Sequence, residues 1–352
     1  MRIKRINFLI PSLGTGGAER VITILANYFC SQDYVVQIFT YSRSTTSNYY
    51  IDDRVQLIHL ESSKSKVVRF IKSVLFLAID KHRNKIPVIS FLPTPNLVNI
   101  VSGVLVFKIE LTIVSLRNNY RFYSIFDRLV IKYFYHYSRA IVSPSARMAS
   151  DLEGVISRND RIFCIRNPSL FSVREVRSER RDRWKLRFNL ISRLERHKRV
   201  AEVCDIFSRK SLSDVVLRIC GDGSMRDELV ARFSKHKNIE FLGRTDQIHE
   251  VLSNSDYLIH SSKYEGYPNA VLESVLSGVK VVSFADCDYG VDEILVNENF
   301  GWILDDLTDL PAFIEYLKEI KPERISKKNV QSCAALHEIN AIGSEWESLV
   351  GG

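Results

Sequence analysis

Thirteen short apolar runs, separated by helix-spaced segments and Gly-, Pro- or Asn-rich turns, govern what this chain can fold into. Strand-like runs that alternate with helix-like ones imply parallel sheets covered by helices on both faces, an α/β architecture. The first half offers Arg5 to Ile10, Val35 to Thr40, Val55 to Leu60, Pro87 to Phe91, Leu111 to Ser115, Ala140 to Val142 and Arg161 to Ile165. The second offers Lys185 to Ile191, Val215 to Cys220, Ile239 to Leu242, Tyr257 to His260, Val279 to Phe284 and Trp302 to Leu304. Two sheets of that size predict two Rossmann-like domains, in keeping with 352 residues. The boundary is placed after Asn167-Pro168, where Ser169 to Arg183 is rich in Arg, Ser and Glu and lacks apolar periodicity. The domains are expected over 1–170 and 171–330, with 331–352 a helical tail free to pack on either.

The stretch Ser262 to Glu273 carries the sharpest chemical signal. Tyr257 to His260 reads as a buried strand, Pro268 suits the first turn of a helix, Ala270 to Leu276 is apolar at helical spacing, and Gly278 ends it. Glu265 then lies in the loop before the helix and Glu273 inside it. A helix N-terminus offers free N–H groups to a phosphate, which leaves the two glutamates for neutral hydroxyls. Phosphate beside a polyol points to a sugar nucleotide.

Other loops share that carboxyl rim, where ligands bind in such sheets. Arg193-Leu194-Glu195-Arg196-His197-Lys198-Arg199 offers Arg193 as a planar fork and Lys198 as a point charge for a diphosphate, although such a run also suits a solvated turn. Gly221-Asp222-Gly223 and Leu242-Gly243 close two further strands, and glycine there also serves turns alone. In the first half, strand Ile6 to Ile10 enters Pro11-Ser12-Leu13-Gly14-Thr15-Gly16-Gly17-Ala18-Glu19-Arg20. Glu19 replaces the third glycine of a dinucleotide fingerprint and Thr40-Tyr41-Ser42 its acidic residue, so NAD is not expected. Ser115 to Arg121 follows another strand, with Arg117 and Arg121 candidates for an acceptor phosphate and Asn118 for a hydroxyl.

Asp286-Cys287-Asp288 spells a D-x-D that could share a divalent cation, but the Arg and Lys pair already supplies counter-charge, so no metal is expected. Cysteines and histidines show no zinc spacing, and the six scattered cysteines suit a reducing compartment. No secretory leader is read at Met1 to Pro11, and Pro87, Pro93 and Pro95 argue against a membrane span over Ile86 to Phe107. The net charge of +8 is uneven: residues 1–170 carry 12 more basic than acidic groups, and the remainder 4 more acidic than basic. An anionic lipid surface, a phosphorylated acceptor or plain solubility fits that half better than nucleic acid, and composition alone does not choose among them. Two stretches, Lys64 to Lys85 and Phe122 to Tyr137, mix aromatics and aliphatics with cations, as membrane-lying helices do, yet ordinary sheet-covering helices with a basic outer face share the pattern.

Together these motifs resemble the retaining glycosyltransferases of family 4: Glu265 and Glu273 in E-G-x-P-N-x-x-L-E, R-L-x-x-x-K at Arg193 and Lys198, G-D-G at Gly221 to Gly223, F-L-G at Phe241 to Gly243, Asn167-Pro168, and G-G-A-E-R near the start. The resemblance implies the GT-B fold, two facing Rossmann-like domains with a cleft between them. It assigns Arg193 and Lys198 to the donor diphosphate, Glu265 to the transferred sugar and Glu273 to the ribose. Gly16, Gly17, Gly221, Asp222, Gly223, Leu242, Gly266, Tyr267, Pro268 and Asn269 would complete the donor site. It further implies no cofactor or metal, a UDP-sugar donor, and a polyprenyl-diphosphate-linked saccharide acceptor for O-antigen or capsule at the cytoplasmic face of the inner membrane. The histidine many members carry in the first domain is missing here, where Arg and Asn stand at Ser115 to Asn119. The other readings are a sugar-nucleotide epimerase on the same plan and a non-catalytic nucleotide-binding module.

Overall fold

The computed structural model describes residues 4–14, 16–41, 49–60, 65–157, 159–170, 185–245, 247–287 and 290–351. The chain divides into two compact units, Met1–Leu170 with His337–Gly352, and Phe171–Leu336. The proposed linker thus falls mostly on 171–184, outside the described residues, as does Asp288.

The first unit is built on strands β1 (Arg5–Ile10), β2 (Val35–Thr40), β3 (Gln56–His59), β4 (Val88–Phe91), β5 (Thr112–Ser115), β6 (Ala140–Ser143) and β7 (Ile162–Cys164). They form one parallel sheet in the order β3-β2-β1-β4-β5-β6-β7. The second unit has β8 (Leu186–Ile191), β9 (Val215–Cys220), β10 (Ile239–Gly243), β11 (Tyr257–Ile259), β12 (Lys280–Phe284) and β13 (Gly301–Leu304), parallel in the order β10-β9-β8-β11-β12-β13. Central strands such as β4, β5 and β6 are buried at every residue, because helices cover both faces, and this explains their unbroken apolar runs.

In both sheets the winding direction reverses at the centre, between β1 and β4 and between β8 and β11. Loops leaving those neighbouring strands diverge to opposite faces and open a crevice at their carboxyl ends. In the second unit the diverging loops are 192–199 and 260–268, so the topology itself brings Arg193 and Lys198 to Glu265.

The tail splits. Helix Lys327–Ala335 stays with the second unit, where Ile325 donates its backbone N–H to Gly278 at 2.9 Å. Helix Ile339–Gly351 belongs to the first unit and packs on helix Gly17–Ser31. A Cβ at Gly343 would come within 2.4 Å of the Tyr28 ring, so the two helices touch closely there. Trp346 is fully buried in this core with its ring 6.0 Å from Phe91 at the end of β4. On the opposite face of the sheet, helices Lys66–Asn84 and Pro93–Leu105 cover Leu9, Phe39 and Val88. No helix among the described residues is long and apolar enough to cross a membrane.

Candidate active site

The loop after β8 turns through a short 3-10 segment, Arg196–Lys198, and leaves Lys198 buried. The loop after β11 places Glu265 beneath it, and Lys198 Nζ donates to Glu265 Oε1. The same oxygen accepts from Ser262 Oγ at 3.0 Å and lies 3.5 Å from His260 Nε2. Burial alone would raise the pKa of the Glu265 carboxyl, but Lys198 and His260 hold it well below the usual carboxylate range. Burial works against protonating His260, yet its neighbours Cys287 and Glu265 outweigh it and push the imidazole up to about 9. The site therefore contains one firmly ionised carboxylate between two cationic groups. Arg193, five residues before Lys198 in the same loop, is exposed, and its guanidinium makes no hydrogen bond or ion pair with any described residue.

Backbone anchors fix this geometry. Ser261 Oγ donates to the carbonyl of Lys198 at 2.6 Å, and Lys263 N–H donates to the carbonyl of His197 at 2.8 Å. The His197 ring stacks on Tyr264 at 4.5 Å. Arg199, in a left-handed conformation at φ 53°, donates Nε to the Ser261 carbonyl at 2.5 Å and grips Asp286 with both terminal nitrogens, at 2.5 and 2.8 Å. One carboxylate of the D-x-D is thereby committed to an arginine. Among the described residues no group of three or more His, Cys, Asp or Glu is arranged to hold a metal ion.

Gly221 and Gly223 serve close packing. Gly221 has φ +147°, and a Cβ there would meet the carbonyl oxygen of Ser192 at 1.8 Å, while one at Gly223 would meet the Leu194 backbone at 2.6 Å. Their absent side chains let the Arg193 loop lie directly on the β9 turn, where Leu194 N–H donates to the Asp222 carbonyl at 2.9 Å. The Asp222 side chain is itself exposed. Leu242 is exposed at the end of β10, beside Gly243 at φ +69°. Pro268 precedes helix Asn269–Leu276, which carries Glu273 buried in its second turn and ends before Gly278 at φ +72°. Gly266 is buried, and Tyr267 belongs to the hydrophobic core, with Gly290 packed against its ring.

The first unit holds the other predicted residues. Gly16 precedes helix Gly17–Ser31, and the Glu19 carboxylate folds back so far that a Cβ on Gly16 would sit 2.2 Å from Oε2. An anion of the protein's own thus already covers Gly16, and a phosphate approaching Gly16 and Gly17 would have to displace it. Arg117 leaves β5 with its guanidinium 4.2 Å over the Phe91 ring and Nη1 donating to Asn167 Oδ1 at 2.7 Å. Its Nε and Nη2 are buried without a hydrogen-bond partner, and burial pushes the guanidinium down to about 9. Arg121 differs: it is exposed and lies 3.6 Å from Asp151. Asn118 is half-buried, while its neighbour Asn119 caps the short helix Tyr120–Phe122 by accepting from Arg121 N–H at 2.8 Å.

Residues 176–335 match the family described as Glycosyl transferases group 1. Over 98% of both chains the sequence is 25% identical to a Campylobacter jejuni enzyme, GalNAc-alpha-(1->4)-GalNAc-alpha-(1->3)-diNAcBac-PP-undecaprenol alpha-1,4-N-acetyl-D-galactosaminyltransferase. It is 24% identical, over 86% of both chains, to N-acetylgalactosamine-N,N'-diacetylbacillosaminyl-diphospho-undecaprenol 4-alpha-N-acetylgalactosaminyltransferase of the same organism. The crystal structure of Anabaena HepE in complex with UDP and glucose superposes with a TM-score of 0.79 at 15% identity, covering 100% of both chains. The fold is that of the GT-B glycosyltransferases.

Within the second unit, sequence reasoning missed His260 and the role of Arg199. His260 carries a signal in hindsight, since an imidazole directly after a buried strand opens the loop at its carboxyl end. Arg199 is one of four basic residues in seven positions, and only its contact with Asp286, 87 residues away, separates a structural arginine from a ligand-facing one.

Proposed function

We propose that this protein is a retaining, metal-independent glycosyltransferase that moves a hexose or N-acetylhexosamine from a UDP-sugar to a polyprenyl-diphosphate-linked saccharide. The observation that carries this reading is the meeting of Lys198 and Glu265 at the switch point of the second sheet, in a loop whose Arg193 side chain has no hydrogen-bond or ion-pair partner among the described residues. In the reaction the bond between the sugar's anomeric carbon and the UDP oxygen breaks, and negative charge gathers on the diphosphate. Arg193 from the exposed loop and Lys198 from its buried position stabilise that charge, the buried cation acting most strongly. Glu265, held ionised, accepts a hydrogen bond from a sugar hydroxyl, and Glu273 takes the ribose. The acceptor hydroxyl forms the new bond and its proton passes to the departing phosphate oxygen, so no separate base is required. Both C. jejuni relatives are named for undecaprenyl-diphosphate-linked acceptors, which supports the same acceptor class here. Arg117, with two buried donors unsatisfied, suits an acceptor phosphate better than the exposed Arg121. A lipid-linked acceptor would place the enzyme at the cytoplasmic face of the inner membrane, and no nucleic acid is involved.

The test is thermal stabilisation by a nucleotide and nucleotide-sugar panel, followed by transfer to synthetic polyprenyl-diphosphate saccharides. A ligand at 100 times its Kd adds about 2.7 kcal/mol to the native state. Stabilisation by UDP and one UDP-sugar in EDTA, with transfer lost in Glu265→Ala, is the expected result. Stabilisation by an unrelated ligand class alone would overturn it, and wild-type partner binding with no turnover under any donor would favour the non-catalytic module.

A further inference from the structure

The face of the first sheet that helix Lys66–Asn84 covers changes character along the strands. In parallel register, Leu9, Phe39 and Ile58 form one row across β1, β2 and β3, and that row joins the apolar core beneath the helix. Two residues earlier on each strand the same face carries Asn7, Gln37 and Gln56, a row of three amides. A helix-covered row ordinarily stays apolar. On the helix, Phe76, Asp80 and Asn84 follow one another at four-residue spacing along one stripe. These six side chains line a cavity of about 310 Å³ toward the amino ends of β1 and β2.

The polar wall of this cavity is only partly satisfied by the chain itself. Asn7, 1% exposed, donates Nδ2 to Asp80 Oδ2 at 2.9 Å, and its Oδ1 is buried without a hydrogen-bond partner. Buried amide oxygens are paired as a rule, so an orphan on a cavity wall marks a place for a donor from outside the chain. Gln37 Nε2 donates to Gln56 Oε1 at 2.8 Å, which leaves the Gln37 oxygen and the Gln56 amide nitrogen with no partner among the described residues. Asn84 donates to Asp80 Oδ1 at 2.6 Å, and each carboxylate oxygen keeps a further lone pair. Arg5, exposed at the start of β1, also lines the cavity, and its guanidinium has no partner among the described residues. Phe76 adds an exposed ring, 5.4 Å from that of Phe39.

That set of groups selects a ligand class. Amide donors and acceptors beside a carboxylate match hydroxyls, each of which both donates and accepts. An aromatic ring suits the C–H face of a pyranose. A phosphate would be repelled by Asp80, and a lipid tail would leave the amides unpaired. At the lower end of the range for ligand clefts, about 300–1,000 Å³, the volume has room for a sugar unit. We infer that this cavity is a saccharide-binding site distinct from the place of transfer. From Arg5 to Ile10 strand β1 rises about 17 Å, so a sugar held at the amino ends is not one reacting at the carboxyl ends. A free sugar and one unit of a glycan would use the same contacts. The inference does not depend on the transfer chemistry, because holding a sugar here requires neither nucleotide nor turnover.

The test is saturation-transfer NMR on the full chain with the methyl α-glycosides of glucose, galactose, N-acetylglucosamine and N-acetylgalactosamine, each at up to about 10 mM, ten times a weak Kd of about 1 mM. Binding of at least one glycoside is expected. Gln37→Ala/Gln56→Ala, which removes two amides, and Gln56→Trp, which fills the cavity from the edge strand, should each weaken it at least about tenfold. Both variants should match the wild type in melting temperature, with UDP and without it, which separates this site from folding and from the nucleotide. Tighter binding of α-linked di- and trisaccharides than of single units would assign the site to a glycan chain, and equal binding would assign it to a free sugar. Absence of binding by every glycoside would overturn the proposal. So would wild-type affinity in both variants, and loss of binding in Arg193→Ala would then place the sugar in the second unit.

Discussion

Lys198 and Glu265 pair across the switch point of the second sheet, and Lys198, 8% exposed in its side chain, depends on that carboxylate for charge balance. Removing it by Glu265→Ala strands a buried ammonium beside His260, which costs about 3–5 kcal/mol. Turnover should fall by about 10²–10³-fold. Glu265→Ala/Lys198→Met should recover stability in urea denaturation without recovering turnover. The pH dependence has a definite sign. Because the folded carboxyl ionises below its unfolded range, its stabilising contribution is complete above about pH 5 and disappears as acid carries the folded group through its own pKa. A Glu265→Gln protein should show a shallower loss of stability below about pH 5.

The grip of Arg199 on Asp286 leads to an expectation about metal. With Asp286 engaged at 2.5 and 2.8 Å, EDTA should leave turnover unchanged and added Mg²⁺ or Mn²⁺ should not raise it. Asp286→Ala should lower stability by about 1–3 kcal/mol, since Arg199 is buried and also holds the Ser261 carbonyl. Turnover that vanishes in EDTA and returns with a divalent ion would contradict the assignment of Asp286 to Arg199.

The strands were legible because parallel strands buried on both faces read as short continuous apolar runs. β1, β2 and β9 keep their expected bounds, and β3 and β4 each lose only terminal residues. Placing Arg193, Lys198 and Glu265 on one rim followed from the same reading, since carboxyl-end loops at a switch point must converge. What escaped was pairing at long range. Nothing local tells Arg199 from Lys198, and only the partners Asp286 and Glu265 do. The tail was ambiguous for a related reason. Val330 and Trp346 are equally apolar to a sequence reader, but Val330 joins the core of the second unit and Trp346 that of the first. Gly16 carried a third ambiguity, because a glycine beside a helix start looks alike whether a ligand or Glu19 occupies the space.

Lys81 makes stability rise with pH. It is fully buried, donates to the Asn99 carbonyl and to Thr112 Oγ1, each at 2.7 Å, and burial pushes its ammonium down to about 7. Unfolding restores an ordinary lysine near 10.4, so between about pH 7 and pH 10 the unfolded chain binds the extra proton. Raising the pH through that window should therefore stabilise the wild type relative to Lys81→Met, measured as the difference in urea midpoints. A difference that stays constant across the window would mean that the ammonium remains charged in the fold.

Arg117 offers a kinetic test of the acceptor side. Its Nη1 is held by Asn167 and its plane lies over Phe91, which leaves Nε and Nη2 pointing the same way with nothing to bind. A guanidinium with two adjacent donors free matches two phosphate oxygens, and a lysine at the same place presents only a point charge. Arg117→Lys should thus raise KM for a polyprenyl-diphosphate acceptor by about tenfold, and Arg117→Ala by up to about a hundredfold, the latter near 2.7 kcal/mol. The KM for the UDP-sugar should stay within about twofold in both. Asn167→Ala should act in the same direction more weakly, because it releases the guanidinium without removing it. If donor and acceptor constants instead rise together in Arg117→Lys, the residue steadies the Phe91 and Trp346 core and touches no phosphate.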